Sequence, residues 1–218
     1  MSGKFISLTP ELYGYVREHA SRASDPVLDK LRRETEGLGE ISRMLISEEQ
    51  GSFMTLLVAA VGAKSAIEVG TFTGYSSTCI ARGLPADGRL LCVDQSEEWT
   101  SLARRTWQEA GVAGKIELRL GDGAAVLRAL GPEEAFDFAF IDADKTGYDT
   151  YFELLFPRMK RNGLFLFDNM LSGGRVAGAI DNENTRAIHA LNEKLARDPR
   201  VESVLSSMGD GVNICRKL

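Results

Sequence analysis

Five short apolar runs, each separated from the next by an amphipathic stretch, constrain this chain more than any other feature. They are SAIEVG (65–70), RLLCVD (89–94), KIELRLG (115–121), FDFAFID (136–142) and GLFLFDN (163–169). Each is too short for a helix of ordinary length and is bounded by glycine or charge, so each predicts a strand. FDFAFID is apolar almost throughout, the pattern of a strand buried on both faces of a parallel sheet. Helix-like stretches fall between the runs, near 75–83, 96–110, 123–130 and 147–160; Ser96 followed by Glu97 and Glu98 marks a capped, acidic first turn. Strand–helix alternation with connections this short predicts a doubly wound α/β sheet.

After Asn169 the pattern changes. A glycine-rich stretch, LSGGRVAGAIDNEN (171–184), leads into a helix-like segment near 183–197, and RVESVLSSMGDGVNICRKL (200–218) predicts an antiparallel hairpin around Gly209–Gly211. Residues 1–60 are helix-patterned and charged, with a break at SDP (24–26). The expectation is a single domain spanning 1–218. It comprises an N-terminal helical extension (1–60) and a Rossmann-like core (61–218) with a seven-stranded, mostly parallel sheet ending in the hairpin.

Acidic residues outnumber basic ones by 31 to 26, a net charge of −5, which argues against nucleic acid or an anionic membrane as the main partner. The basic clusters RRTWQ (104–108) and RMKRN (158–162) read as solvated helix faces. No apolar stretch approaches the length of a membrane span or a signal-peptide block, so a cytoplasmic location is expected. Cys79, Cys92 and Cys215 lack metal-ligand spacing and are expected to be reduced and buried. His19 and His189 are isolated on polar, helix-like stretches, which leaves acid–base chemistry to Lys, Asp or Glu.

EVGTFTGYS (68–76) follows the first strand and enters a helix. Gly70 and Gly74 permit a tight turn and a close approach to a ligand, and the helix start offers free N–H donors. Asp94 ends the next strand, 20 residues after Gly74, where a carboxylate can grip ribose hydroxyls. The spacing is not G-x-G-x-x-G, which disfavours a dinucleotide. Glu68 would be awkward beside a diphosphate; it suits a ligand with a positive centre and an amino group. S-adenosylmethionine meets that description. Tyr75 and Ser76 open the helix and can meet its carboxylate. GDGAA (121–125), with Gly121, Asp122, Gly123 and Ala124, is placed to border the adenine, Asp122 bonding its amino group.

FIDADK and FLFDNM both end in oxygen donors. If the two strands are sheet neighbours, their ends lie about 5 Å apart. Asp142, Asp168 and Asn169 would then converge as a hard-cation set suited to Mg²⁺ or Mn²⁺, with room left for water and substrate. Lys145 stands three residues beyond the first carboxylate.

At these residues the chain resembles the cation-dependent class I S-adenosylmethionine O-methyltransferases of the caffeoyl-CoA and catechol type. The resemblance runs from about ISEEQGSF (46–53) to GDGVNICRK (209–217), and is carried by IEVGTFTGYSS, VDQSEE, FIDADKTGYDTYF and LFDNMLSGGRV. It implies that Asp142, Asp168 and Asn169 bind the cation and that Lys145 assists deprotonation of the acceptor. It also implies cofactor contacts from Glu68, Gly70, Ser76, Asp94 and Asp144, with Met44 and Ile46 flanking the methionine end; Asp142 and Tyr151 are counted with the same site. Family members are commonly homodimers, which implies a homodimer here. The expected reaction is methyl transfer to a hydroxyl of a small aromatic diol: chelation favours an ionised phenol, whose reference pKa is about 10. Alternatives are methylation of hydroxylated uridine in transfer RNA by the same chemistry, and a nucleotide-binding oxidoreductase or non-catalytic module. One departure stands out. Where many relatives read D-N-x-L-W-x-G, this chain has DNMLSGG (168–174). Ser172 replaces a large ring, so the acceptor wall is expected to be more open and mobile.

Overall fold

The computed structural model describes residues 6–20, 25–178 and 180–218; Ser24, in the expected break, lies outside them. Three helices come first: α1 (Pro10–Glu18), α2 (Pro26–Glu36) and α3 (Glu48–Ala60). The alternating core follows as β1 (Ser65–Val69), α4 (Tyr75–Gly83), β2 (Arg89–Asp94), α5 (Glu97–Glu109), β3 (Ile116–Leu120), α6 (Gly123–Arg128), β4 (Phe136–Ile141), α7 (Tyr148–Leu155) and β5 (Met159–Phe167). The chain closes with α8 (Glu183–Leu195), β6 (Val201–Ser206) and β7 (Val212–Lys217).

The helix starts are chemically marked. Pro10 and Pro26 open α1 and α2, where a missing N–H does no harm, and the side chains of Thr9, Asp25, Ser47, Ser96 and Asn182 accept from first-turn N–H groups of their helices.

The seven strands form one sheet in the order β3-β2-β1-β4-β5-β7-β6. The first five are parallel, while β7 runs antiparallel to both β5 and β6. This is the expected mostly parallel sheet with a terminal hairpin. Chain order reverses between β1 and β4, which is where an open sheet leaves a crevice at its carboxyl edge. The central strands are apolar on both faces because both are covered. Phe138, Phe140 and Leu166 pack with α2 to α5 on one side, and Ala139, Ile141, Phe165 and Phe167 pack with α6 to α8 on the other. All three cysteines are buried and unbridged.

Two expectations need correction. The helix expected over 147–160 ends at Leu155, and RMKRN lies on no helix face: Arg158 closes a short 3-10 turn, and Met159 to Asn162 begin β5. The ladder shifts register there, with Phe136 opposite Met159 but Phe138 opposite Leu164, and Asn162 takes φ 65°. A bulged polar entry carries no period-two signal, so the sequence hides it. RRTWQ does lie on a helix, but only part of it is solvated: Arg104, Arg105 and Gln108 are exposed, while Thr106 and Trp107 are buried, and Trp107 donates to Ser77 Oγ at 2.9 Å.

Gly74, the residue before α4, holds the glycine loop against α5. Its φ is 91°, and a Cβ there would stand 2.6 Å from Ala103 Cβ. Gly74→Ala combines a left-handed backbone with overpacking, about 3 kcal/mol. Thermal unfolding should show Tm lowered by roughly 6–12 °C.

Candidate active site

A cleft of about 1230 Å³ opens over the carboxyl edge of the sheet. Its floor is built from the ends of β1, β2, β4 and β5, and its rim includes the segment before α3 and the loop before α8.

The ends meet because the parallel ladder aligns them: Val69 lies opposite both Val93 and Ile141, and Ile141 opposite Phe167. Gly70 then passes so close to β4 that a Cβ would stand 2.5 Å from the Asp142 carbonyl oxygen, at a φ of 95°. Only glycine fits. Asp94 braces the loop: Oδ2 accepts from the N–H groups of Thr71 (2.9 Å) and Phe72 (2.8 Å), and Oδ1 from that of Ser96 (2.8 Å). A carboxylate has about four acceptor positions, so one remains for a ligand.

Phe72 and Trp99 meet edge to face, ring centroids 5.1 Å apart, and both line the cleft, as do Gly121 and Gly123. Tyr151 packs against Gly123 and donates its hydroxyl to Asp144 Oδ1. Asp122 and Ala124 do not line the cleft; Asp122 is an exposed cap whose Oδ1 accepts from the Ala125 N–H at 2.8 Å. Tyr75 and Ser76 do line it, and so do the exposed Met44 and buried Ile46.

Glu68 stands behind the wall instead of on it. Its side chain is fully buried, Oε2 accepts from Cys92 Sγ at 3.5 Å, and Oε1 has no hydrogen-bond partner among the described residues. Burial pushes its carboxyl up to about 8.

The ends of β4 and β5 bring Asp142, Lys145, Asp168 and Asn169 together as expected. Lys145 Nζ donates to Asp142 Oδ1 at 2.7 Å and to Tyr148 Oη at 2.8 Å. Tyr148 in turn donates to the Asp168 carbonyl at 3.2 Å. The Asp168 side chain accepts from the Asn169 N–H at 2.7 Å, and Asn169 itself takes a left-handed backbone (φ 57°). Burial, and then the charge of Asp142, raise the Asp168 carboxyl to about 7. Asp142 is likewise raised by burial, against the pull of Lys145. Burial and the two neighbouring carboxylates drive Tyr148 well above the usual phenol range, so it stays protonated.

Crowded carboxyls of this kind fit a hard dication, which removes the strain that burial and mutual repulsion impose. Among the described residues no three His, Cys, Asp or Glu side chains converge. A cation here would rest on two carboxylates, the Asn169 amide oxygen and water.

Sequence reasoning missed Tyr148, Gln50 and Arg175. Tyr148 lies three residues beyond Lys145, a spacing that puts it on the same helical face. Gln50 is buried on the cleft wall with Nε2 unpartnered among the described residues; nothing in the sequence marks it. Ser172 departs from expectation. It lines the cleft, yet it is buried and its hydroxyl is engaged by Thr185 Oγ1 at 2.9 Å and by Arg175 at 3.1 Å. The small side chain is tied into a polar cluster instead of leaving open space.

A sequence profile of the O-methyltransferase family matches residues 17–218. Among curated relatives, the probable caffeoyl-CoA O-methyltransferase 2 of Dictyostelium discoideum is 38% identical over 98% of this chain and 94% of its own. An O-methyltransferase from Bacillus cereus, solved in complex with SAH, superposes with a TM-score of 0.86 at 28% identity, over 94% of this chain and 96% of that one. The O-methyltransferase TomG from Streptomyces achromogenes, solved with SAM, gives 0.86 at 27% identity, over 95% and 96%. The fold and cleft are thus those of an S-adenosylmethionine-dependent methyltransferase. The chain belongs to the O-methyltransferase family.

Glu68 also makes a stability prediction. Its folded pKa of about 8 lies above the ordinary 4.5, so folding favours the protonated form. Stability is fully present below about pH 4.5 and falls as pH rises toward 8, by up to a few kcal/mol. Glu68→Gln should flatten this segment of the curve in the ligand-free protein, which chemical denaturation at pH 5 and pH 8.5 would detect.

Proposed function

We propose that this protein transfers the methyl group of S-adenosylmethionine to one hydroxyl of a vicinal aromatic diol, with a divalent cation held by Asp142, Asp168 and Asn169. The observation that carries this reading is the cluster of Lys145, Asp142, Tyr148 and Asp168 at adjacent strand ends, opening into the same cleft as the glycine loop. The name of the Dictyostelium relative supports an aromatic acceptor, and the SAH and SAM bound in the two solved structures support the cofactor.

In this reading Phe72, Trp99, Gly121 and Gly123 flank the adenine, and the last acceptor position of Asp94 takes a ribose hydroxyl. Ser76, Met44 and Ile46 border the methionine end. Tyr151 orients Asp144 beneath the cofactor. A divalent cation supplies, when bound, the charge that favours the ionised form of a chelated phenol.

The residues of the chain do the rest. Lys145 Nζ is pinned by Asp142 and Tyr148 at the cleft floor and, once it has given up its own proton, accepts that of the acceptor's hydroxyl. Tyr148 keeps its own proton and therefore orients Lys145 instead of competing as a base. Holding the acceptor oxygen in line with the methyl carbon at about 3 Å supplies much of the acceleration.

The test is methyl transfer to 3,4-dihydroxybenzaldehyde with Mg²⁺ and with EDTA. Product should form only in the first. Lys145→Ala should lower kcat by about 10²-fold or more while leaving adenosylmethionine binding within about twofold of wild type. A Lys145→Ala protein with full turnover would remove the base. An Asp168→Ala protein with unchanged metal dependence would sink the cation assignment.

A further inference from the structure

The glycine-rich segment after β5 places a guanidinium on the cleft wall. Arg175 lines the cleft alongside Lys145, Asp168 and Asn169. Two hydroxyls hold it: its Nε donates to Thr185 Oγ1 at 3.3 Å and its Nη2 to Ser172 Oγ at 3.1 Å, and those hydroxyls bond each other at 2.9 Å. Both hydroxyl residues are buried, so the anchor belongs to the protein interior, while Arg175 as a residue is exposed. Gly173 makes space for it: a Cβ there would stand 3.0 Å from Arg175 Nη1.

An arginine has five N–H donors. Two go to the hydroxyls, and three remain. Among the described residues Arg175 makes no ion pair. The nearby carboxylate of Asp210, which also lines the cleft, has Oδ1 committed to the Gly173 N–H at 2.6 Å. A fork of donors that is fixed at its base, carries a permanent charge and has no protein anion fits a planar carboxylate.

We infer that Arg175 is a specificity-determining residue that selects acceptors bearing a carboxylate, with Ser172 and Thr185 as its positioning residues. The inference rests on the proposed function in taking the acceptor to be an aromatic diol. The cation and Lys145 would handle the diol end, and Arg175 the far end of the same molecule. The exchange of a ring for the Ser172 hydroxyl then has a physical consequence, since an indole offers no acceptor to the Arg175 Nη2.

A matched pair of ligands tests this: 3,4-dihydroxycinnamate and its neutral methyl ester. Calorimetric binding would be measured in the presence of S-adenosylhomocysteine and Mg²⁺, and kcat/KM with S-adenosylmethionine. Wild type should bind the acid more tightly than the ester. Arg175→Gln should weaken the acid by about tenfold, an exposed charge-assisted contact, through KM and not kcat, and leave the ester within about twofold. Arg175→Lys, which keeps charge but loses the fork, should fall between. Equal losses on both ligands would reduce Arg175 to a structural role and overturn the proposal, as would no loss on either, or equal wild-type affinity for the two. Failure of wild type to bind the acid at millimolar concentration would overturn it too. Arg175-dependent binding of the acid without methyl transfer to either ligand would instead remove the proposed reaction and leave the carboxylate site standing.

Discussion

Everything at the cleft depends on the parallel alignment of three neighbouring strands at their carboxyl ends. Val69, Ile141 and Phe167 share one level of the ladder, so the next residues, Gly70, Asp142 and Asp168, emerge side by side. Strand spacing puts them about 5 Å apart without any help from the loops. The same closeness excludes a side chain at Gly70, where the Asp142 carbonyl occupies the space a Cβ would need. The glycine serves two ends at once: it lets the backbone turn under a ligand, and it lets β4 deliver its carboxylate.

That geometry concentrates charge where the protein is least able to solvate it. Asp168 is almost fully buried, and its carboxyl is raised by burial and by Asp142. The protein answers with fixed donors in place of water: the Asn169 N–H on Asp168, and the Lys145 ammonium on Asp142. Tyr148 ties the two strand ends together, accepting from Lys145 and donating to the Asp168 backbone. Because it is held protonated, it passes orientation from β5 to Lys145 without adding another charge. Buried ionisable groups left in this tension are expensive for the fold and are typical of sites that do chemistry.

How much of this was legible in the sequence follows from which interactions are local. β2 was readable to the residue, since an apolar run ending in a charge says where a strand leaves a parallel sheet. The start of β5 was not, because its bulged entry is polar and set by pairing with Phe136. Residues at strand ends were placed correctly because topology alone converges them. Asp94 lies on the cleft at the end of β2, although its bracing of the Thr71 and Phe72 N–H groups was not foreseen: that depends on the loop's curl, with Phe72 at φ 51°. Glu68 and Asp122 were read as ligand contacts from their position in motifs. The actual direction of each side chain, one into the core beside Cys92 and the other back onto its own helix, is a matter of packing. Gln50 reaches the cleft from a helix distant in sequence from the strand ends, and Arg175 from a segment after β5 whose direction is set by its left-handed turns; no spacing rule marks either.

A division of labour follows from where these residues sit. The strand ends are held by the sheet ladder, so a change there would disturb the core on both faces. The segment from Ser172 to Gly174 is constrained differently. Its backbone runs through left-handed conformations at Ser172, Gly173 and Gly174, and its contacts are hydrogen bonds to Asp210 and Thr185. Exchanging one side chain there alters what faces the acceptor without touching the ladder. Such a segment can change its chemistry while the reacting centre keeps its geometry. Ser172 is a residue of this kind: its small side chain supplies a hydrogen-bond acceptor to Arg175 and thereby holds a positive charge on the cleft wall at a site the sheet does not control.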